Sequence, residues 1–213
     1  MKIGFFGDSF CQYDVPEDWQ NVDYETYITK LKKHYNAEIV NLGQSGSSIY
    51  DLILLQIKPF IDTNYYPDVC IFVWTDIARL FHRNHRNLNI HTIDHEKENF
   101  TIRAAKQYFA YLYDANLQKF QYKAALQYFD LNVLSTFPKT TKILHLWSFE
   151  KLYDWKHGIE VMPELVSLAL EDRDFFEVTK YDPAPNHLDG DKKNTLVFNW
   201  IKEAIDTYTS SPY

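Results

Sequence analysis

The residues best suited to chemistry begin with Gly7-Asp8-Ser9-Phe10, which follows a short apolar run. If that run is a strand of an open α/β sheet, Ser9 lies at its carboxyl end, where such sheets usually bind ligands. A serine hydroxyl attacks a carbonyl carbon when a base removes its proton. Ser9 is therefore a candidate nucleophile. Gly-Asp-Ser also suits a helix N-terminus, where the serine would act only as a cap.

The base for such a serine could be any of eight histidines, and His187 is the best placed. It lies in Asp182-Pro-Ala-Pro-Asn-His187-Leu-Asp, between the last predicted strand and the closing helix. Loops of this kind leave the sheet at the same edge as Ser9 and often carry function. The alternative is an ordinary solvated surface histidine.

A third segment, residues 41–48, reads Asn-Leu-Gly-Gln-Ser-Gly-Ser-Ser and lies between a predicted strand and a predicted helix. Acyl transfer needs N–H donors that point at the developing oxyanion, and a turn containing Gly46 supplies them without side-chain obstruction. By itself the segment is equally typical of a strand-to-helix turn without any catalytic role.

In the order of these three segments along the sequence, the chain resembles the SGNH, or GDSL-like, hydrolase family. The nucleophile block matches GDSF at 7–10, the second block matches NLGQSG at 41–46, and the histidine block resembles NHL at 186–188. The resemblance implies that Ser9 is the nucleophile, that the backbones of Ser9 and Gly46 hold the oxyanion, and that His187 is the general base. It also implies a flavodoxin-like three-layer sandwich and hydrolysis of an ester or acyl group without a metal or other cofactor.

The third block of the chain departs from the family pattern. Where the family has Gly-x-Asn-Asp, this chain has Trp74-Thr75-Asp76-Ile77, so the oxyanion asparagine is absent. The Asp76 carboxylate would repel a developing negative charge, whereas the Thr75 hydroxyl can donate to it. Thr75 is therefore the preferred replacement, and loss of such a donor costs about 10²–10³ in rate.

The catalytic acid is also displaced. The family's acid lies three residues before the histidine, and here that position is Ala184. Asp182 lies five residues before His187 and is the candidate for orienting it, with Asp189 as the other local carboxylate. A Ser-His dyad oriented by a carbonyl is the remaining possibility.

A basic cluster follows the third predicted strand and consists of Arg79, His82, Arg83, His85, Arg86, His91 and His95. No carboxylate or cysteine completes a recognisable metal-ligand spacing, so a solvated face is the favoured interpretation over a metal site. Arg79 starts the cluster beside the third block, and its guanidinium would suit an anionic part of a substrate.

The elements that must position these residues form an α/β pattern. Apolar runs predict strands at 2–6, 38–42, 69–74, 142–147 and, more weakly, 175–179, separated by stretches of helical periodicity. We therefore predict a three-layer αβα sandwich with a flavodoxin-like, mostly parallel five-stranded sheet. A long helical insertion, residues 77–141, separates strands 3 and 4 and would serve as a lid or as a dimer contact.

Size and composition limit the remaining functional classes. The 213 residues suit a single domain over 1–213, and the net charge of −7 argues against nucleic-acid binding. Without a signal peptide or a membrane-spanning segment, the chain is expected in the cytoplasm. Cys11 and Cys70 are expected to be free thiols. The sequence does not indicate an oligomeric state.

These observations favour a serine hydrolase that removes an O-acetyl or short acyl group from a carbohydrate or small-molecule ester. The alternative is a non-catalytic glycan-binding module on the same fold, and the missing asparagine and displaced acid motivate it. A nucleotide-binding Rossmann protein ranks third, because the three-glycine fingerprint is absent.

Overall fold

A computed structural model describes residues 1–11, 25–85, 88–90, 93–161, 164–170, 188 and 190–208. At its centre is a sheet of parallel strands in the order β2-β1-β3-β4-β5. The strands are β1 Lys2–Phe6, β2 Glu38–Asn41, β3 Val69–Trp74, β4 Lys142–Trp147 and β5 Ile159–Glu160. This order is that of flavodoxin-like folds, which confirms the predicted fold class.

The register of the sheet brings the strand ends to one edge. Phe5 of β1 pairs with Asn41 of β2 and with Ile71 of β3, and Trp74 of β3 pairs with Trp147 of β4. Because every paired strand runs in the same direction, the segments that follow β1, β2, β3 and β4 all leave from this carboxyl edge. Each predicted block before the histidine block therefore begins at the same edge.

Helices cover both faces of the sheet. The helices are α1 Tyr27–Tyr35, α2, α3 Phe100–Tyr111, α4 Ala115–Tyr128, α5 Leu165–Leu170 and α6 Gly190–Thr207, and α3 packs in a separate cluster with Leu88 and Ile93. Helix α2 combines Ile49–Asp51, the π-helical stretch Leu52–Ile57 and Lys58–Thr63. Side-chain caps start α1, α3 and α4, where Thr26, Asn99 and Asp114 accept from backbone N–H groups of the first turn.

Alternation along the strands divides the core into two layers. Residues such as Ile3, Phe5 and Ile71 pack against α1, α5 and α6, whereas Phe6, Phe72 and their neighbours pack against α2 and α4. Successive strand residues point to opposite faces, so a continuous apolar run is needed when both faces are covered. The predicted three-layer arrangement follows from this.

The fifth strand of the sheet was missed by the sequence interpretation. Ile159–Glu160 pairs with Leu144 and His145 of β4, and Gly158 before it has a left-handed φ of 96°. A two-residue strand carries no apolar run or alternation to detect. The strand predicted at 175–179 lies outside the described residues.

The helical insertion between β3 and β4 contains α3 and α4. Helix α4 continues into a π-helical stretch, Phe129–Val133, and buries Tyr122, Leu126 and Phe129 against the sheet. Its opposite side exposes large apolar side chains at Leu117, Phe120 and Tyr128. Whether the insertion is a lid or a dimer contact stays a prediction. In the described ranges, no helix is long and apolar enough to cross a membrane.

Candidate active site

Ser9 begins a short 3₁₀ turn, Ser9–Cys11, directly after the end of β1. Gly7 makes this turn possible, because a Cβ there would lie 2.5 Å from Cys11 Sγ and 2.7 Å from the Val73 carbonyl oxygen. Ser9 is 9% exposed, and within the described part of the chain no side chain hydrogen-bonds its hydroxyl. The turn therefore holds Ser9 at the carboxyl edge of the sheet, as predicted, and none of the described side chains occupies its hydroxyl.

The neighbouring thiol of Cys11 does not compete with the Ser9 hydroxyl. Cys11 is a free, fully buried cysteine, and Cys70 is likewise free and buried. Burial, and then the charge of Asp8, raise the pKa of the Cys11 thiol well above its usual value. Since the thiolate is the reactive form, Cys11 is an inert packing residue.

The side chain of Asp8 is fully buried beneath this turn and binds the ends of three strands together. Its Oδ1 accepts from Phe10 N at 3.1 Å and from the Ser148 hydroxyl at 3.0 Å, and its Oδ2 accepts from the Thr75 hydroxyl at 3.1 Å. Ser148 follows β4 and Thr75 follows β3. A buried carboxylate with these partners fixes the position of the turn that carries Ser9.

Arg79 is buried beside Asp8 and does not belong to a solvated face. Its Nη1 lies 3.5 Å from Asp8 Oδ2 and donates to the Ser47 carbonyl at 3.1 Å. The guanidinium also lies over the Phe149 ring, 5.8 Å from the ring centre. The arginine thus connects the turn before Ser9 with the residue that follows Gly46. These internal partners give it a structural role in the site, and its predicted role in binding an anionic part of a substrate stays a prediction.

The turn that carries Gly46 is attached to the nucleophile turn by direct hydrogen bonds. Gln44 N donates to the Gly7 carbonyl at 3.1 Å, and Asn41 Nδ2 donates to the Cys11 carbonyl at 2.5 Å. Gly46 has a φ of 75°, a left-handed conformation that favours glycine. Among the placed residues, none accepts a hydrogen bond from the backbone N–H of Ser9 or of Gly46. Both N–H groups are therefore available to a ligand.

Gln56 on the π-helical part of α2 supports the same two turns. Its Oε1 accepts from Gly7 N at 2.7 Å, and its Nε2 donates to the Gly7 carbonyl at 2.9 Å and to Ser47 Oγ at 3.2 Å. Gln56 is 2% exposed. The π-helical stretch, in which Lys58 N bonds the Ile53 carbonyl five residues back, is the kind of local widening often found near functional sites.

The Thr75 hydroxyl, the predicted oxyanion donor, gives its one proton to Asp8 in this structure. A donation to an oxyanion would require that bond to break. The Thr75 carbonyl accepts from the Tyr122 hydroxyl of α4 at 2.7 Å, so the insertion holds the third block in place. The carboxylate of Asp76 accepts from Ala78 N and from Asn89 Nδ2, both at 2.9 Å, and so shapes its own loop.

The predicted base and acids, namely His187, Asp182 and Asp189, lie outside the described residues. The structure does place Leu188, the residue after His187, in the core between the sheet and α6. Asn194 of α6 donates to the Leu188 carbonyl at 3.1 Å. The chain therefore has a fixed point immediately after the predicted base.

The rest of the basic cluster lies at the surface where it is described. His82 and Arg83 are exposed and His85 is half-buried, whereas the side chains of Arg86, His91 and His95 are not described. No group of three His, Cys, Asp or Glu side chains in the described segments is arranged to hold a metal ion.

The sequence interpretation did not single out the buried residues that support Ser9. Asp8 is part of the Gly7-Asp8-Ser9-Phe10 motif, but its partners Ser148 and Arg79 come from other strand ends, and only the fold shows them together. Gln56 left a weak signal, a polar residue at a core position of an apolar helix. A buried polar residue in an apolar stripe needs a partner, and that partner was the Gly7 backbone.

Two solved structures are similar to this chain over most of its length. One carries the name of a GDSL-like lipase from Parabacteroides merdae; it is 16% identical, with 96% of this chain and 95% of that chain covered and a TM-score of 0.46. The other is an acetyl xylan esterase, 18% identical, with 97% and 73% covered and a TM-score of 0.38. No family model and no curated protein matches the sequence. The comparisons therefore assign no role to any site residue, and the predicted roles of Ser9, Gly46 and His187 stay predictions.

Proposed function

We propose that this protein is a serine hydrolase that cleaves an ester through an acyl-enzyme on Ser9. The observation that carries the proposal is the junction of the two turns. Ser9 and Gly46 both offer a backbone N–H without an acceptor among the described residues, and Gln44 N ties the second turn to Gly7 of the first. A nucleophile flanked by such donors is the arrangement that acyl transfer requires.

In the proposed reaction, Ser9 Oγ attacks the carbonyl carbon of the ester while His187 takes the hydroxyl proton. The carbonyl oxygen becomes an oxyanion, which the N–H groups of Ser9 and Gly46 stabilise. The tetrahedral intermediate collapses, the C–O bond to the alcohol breaks, and His187 returns the proton to the leaving oxygen. Water, activated by the same histidine, then attacks the acyl-enzyme and releases the carboxylic acid.

The side chains around the oxyanion differ from those that the family resemblance implies. The Thr75 hydroxyl is bound to Asp8, and the neighbouring positive charge comes from Arg79, which is fixed between Asp8 and the Ser47 carbonyl. Oxyanion stabilisation would then depend on two backbone donors and a nearby buried cation. We expect a slower enzyme than one with a third side-chain donor, by about 10²–10³-fold.

The proposed substrates are O-acetyl or other short-acyl esters of a carbohydrate or small molecule, an inference from the family resemblance of the three blocks. Asp182 is our first candidate to orient His187, with Asp189 as the second. Substituting each aspartate in turn distinguishes the two candidates. Asp182→Asn should lower kcat about 10⁴-fold if its carboxylate orients the histidine, and Asp189→Asn should then have little effect.

The proposal is tested by hydrolysis of a chromogenic acetate ester and by labelling with a serine-reactive phosphonate. The wild-type protein should do both, with the label on Ser9 by mass spectrometry, and Ser9→Ala should abolish both. Ser135→Ala, which removes an exposed serine on the insertion, is the matched control and should behave as wild type. Absence of labelling across about pH 6 to 9 would contradict the proposal.

One observation favours a second function, a non-catalytic glycan-binding module. The hydroxyl of Thr75 is bound to Asp8, so it cannot replace the missing asparagine unless that bond breaks. In that case Ser9→Ala would leave binding of an acetylated oligosaccharide unchanged, and neither protein would release acetate.

A further inference from the structure

Two buried side chains connect the turn after Ser9 with the residue after His187. The Tyr27 hydroxyl of α1 donates to the Phe10 carbonyl at 2.8 Å. Tyr27 N donates to Asn194 Oδ1 at 3.0 Å, and Asn194 Nδ2 donates to the Leu188 carbonyl at 3.1 Å. Phe10 directly follows Ser9 and Leu188 directly follows His187. A continuous path of hydrogen bonds thus joins two segments that are far apart in the sequence.

The two linking residues are buried where the surrounding core is apolar. Asn194 is 2% exposed and Tyr27 is 3% exposed, among residues such as Ile28, Val197 and Ile201. An apolar residue at position 194 would avoid the cost of burying an amide, and asparagine is a weak helix former. The amide is retained with both of its ends in use, since Nδ2 also donates to the Gly190 carbonyl at 3.0 Å.

The path also has a fixed direction. Burial is the main cause that raises the pKa of the Tyr27 hydroxyl well above its usual value, so the hydroxyl keeps its proton and donates to Phe10. The Asn194 amide can satisfy an N–H with its oxygen and carbonyls with its nitrogen only in the orientation observed. The three links therefore reinforce one arrangement rather than several.

We infer that Tyr27 and Asn194 are positioning residues that set the distance between the Ser9 turn and the segment bearing His187. The inference rests on the proposed function. Leu188 is covalently bonded to the predicted base, so any displacement of Leu188 is passed directly to the segment that bears it. Proton transfer from serine to histidine tolerates little displacement, and a shift of about 1 Å can cost 10²-fold in rate. Neither residue needs to touch the substrate.

The test compares Tyr27→Phe, Asn194→Leu and the control Ile201→Val. Tyr27→Phe cuts the link to Phe10 and keeps the ring, and Asn194→Leu cuts the link to Leu188 at similar volume. Ile201→Val weakens the same helix in the same apolar cluster without touching the path. The measurements are kcat and KM on the acetate ester, the rate of phosphonate labelling of Ser9, and the melting temperature.

We expect Tyr27→Phe to lower kcat and the labelling rate about tenfold, and Asn194→Leu up to about a hundredfold, with KM within about twofold of wild type. Ile201→Val should keep kcat within about twofold. Because the two variants cut one path, the double variant should be no slower than Asn194→Leu alone. If Asn194→Leu does not fold, the milder Tyr27→Phe against Ile201→Val decides the question.

If the phosphonate labels wild-type Ser9 and the Tyr27 and Asn194 variants keep the wild-type kcat and labelling rate, the inference is overturned and the proposed function stands. An equal loss of kcat in Ile201→Val would also overturn it, because general loosening of α6 would then explain the effect. A wild-type protein without any labelling would instead overturn the proposed function, and the inference with it.

Discussion

The Asp8 carboxylate and the Arg79 guanidinium form an ion pair, 3.5 Å apart, in which neither side chain is more than 8% exposed. Removing two charges from water is costly, and the cost is offset only when further hydrogen bonds satisfy both partners. Here Thr75, Ser148 and Phe10 N supply them to the carboxylate. The Ser47 carbonyl accepts from Nη1 of the guanidinium, whose buried Nε has no hydrogen-bond partner among the described residues. The pair thereby joins the segments after four successive strands around Ser9.

Asp8→Asn should destabilise the protein by about 3–5 kcal/mol, because it leaves the Arg79 charge buried without its partner. An amide also turns one of the acceptor oxygens into a donor that faces either Thr75 and Arg79 or Ser148 and Phe10 N. The free energy of unfolding from urea titration measures the effect, and phosphonate labelling of Ser9 should slow in the fraction that remains folded.

Asp62→Asn is the matched control for Asp8→Asn. Asp62 forms an exposed pair with Lys58 one helical turn away, with both side chains more than half exposed. Such pairs contribute about 0–1 kcal/mol, so the control should change stability very little. Similar losses in the two variants would contradict the special role of the buried pair.

Arg79→Met should lower kcat/KM equally on neutral and on anionic esters, by about tenfold to a hundredfold. The reason is that the guanidinium is bound to Asp8 and to the Ser47 carbonyl, and so acts on the site through the two turns. Arg83 is an exposed arginine in the same loop, so Arg83→Met is the control and should leave kcat/KM unchanged. A loss confined to anionic esters would show instead that Arg79 binds substrate.

Much of the fold could be predicted because long apolar runs encode buried parallel strands. The runs at 69–74 and 142–147 coincide with β3 and β4, since each strand is covered on both faces. The strand Ile159–Glu160 could not be predicted, because its two residues pair only through β4. The position of Ser9 could be predicted from the apolar run at 2–6, whereas the buried residues that support its turn could not.

Those supports were hidden because each is a contact between distant strand ends. Nothing in the local sequence of Arg79 shows that it is buried, and its neighbours His82 and Arg83 are exposed. The predicted role of Thr75 as an oxyanion donor assumed a free hydroxyl, and the partner that engages it, Asp8, is distant in the sequence. Sequence patterns therefore predict which apolar segments are buried far better than which polar side chains hydrogen-bond to each other.

Stability should fall below about pH 6.5 because of His145. The ring is fully buried and stacks on Trp155 at 3.8 Å; Nδ1 accepts from Trp74 Nε1, and Nε2 donates to the His157 carbonyl. This neutral form is favoured, and burial lowers the pKa of His145 to about 3. Below about pH 6.5 the unfolded chain binds a proton that the folded chain does not bind. The free energy of unfolding therefore falls by up to about 1.4 kcal/mol per pH unit.

His145→Gln should flatten this part of the profile, measured as the free energy of unfolding between about pH 7 and pH 4. The variant will be less stable at neutral pH, because the ring stacking is lost, but its slope should be smaller. His34→Gln replaces an exposed histidine and should keep the wild-type slope. Parallel curves for wild type and His145→Gln would show that other groups cause the acid sensitivity.

Gln56→Leu should both destabilise the protein and slow the labelling of Ser9. Without the amide, the Gly7 N–H loses its partner at 2.7 Å, while the Gly7 carbonyl keeps Gln44 N, and leaving a buried N–H unpaired costs about 1–3 kcal/mol. Gln56→Glu separates the two contacts, because an ionised carboxylate accepts from Gly7 N but repels the Gly7 carbonyl oxygen. Gln127→Leu on the exposed side of α4 should change stability by less than about 0.5 kcal/mol. Wild-type labelling rates in Gln56→Leu, at a temperature where the variant is fully folded, would show that the Ser9 turn keeps its shape without this support.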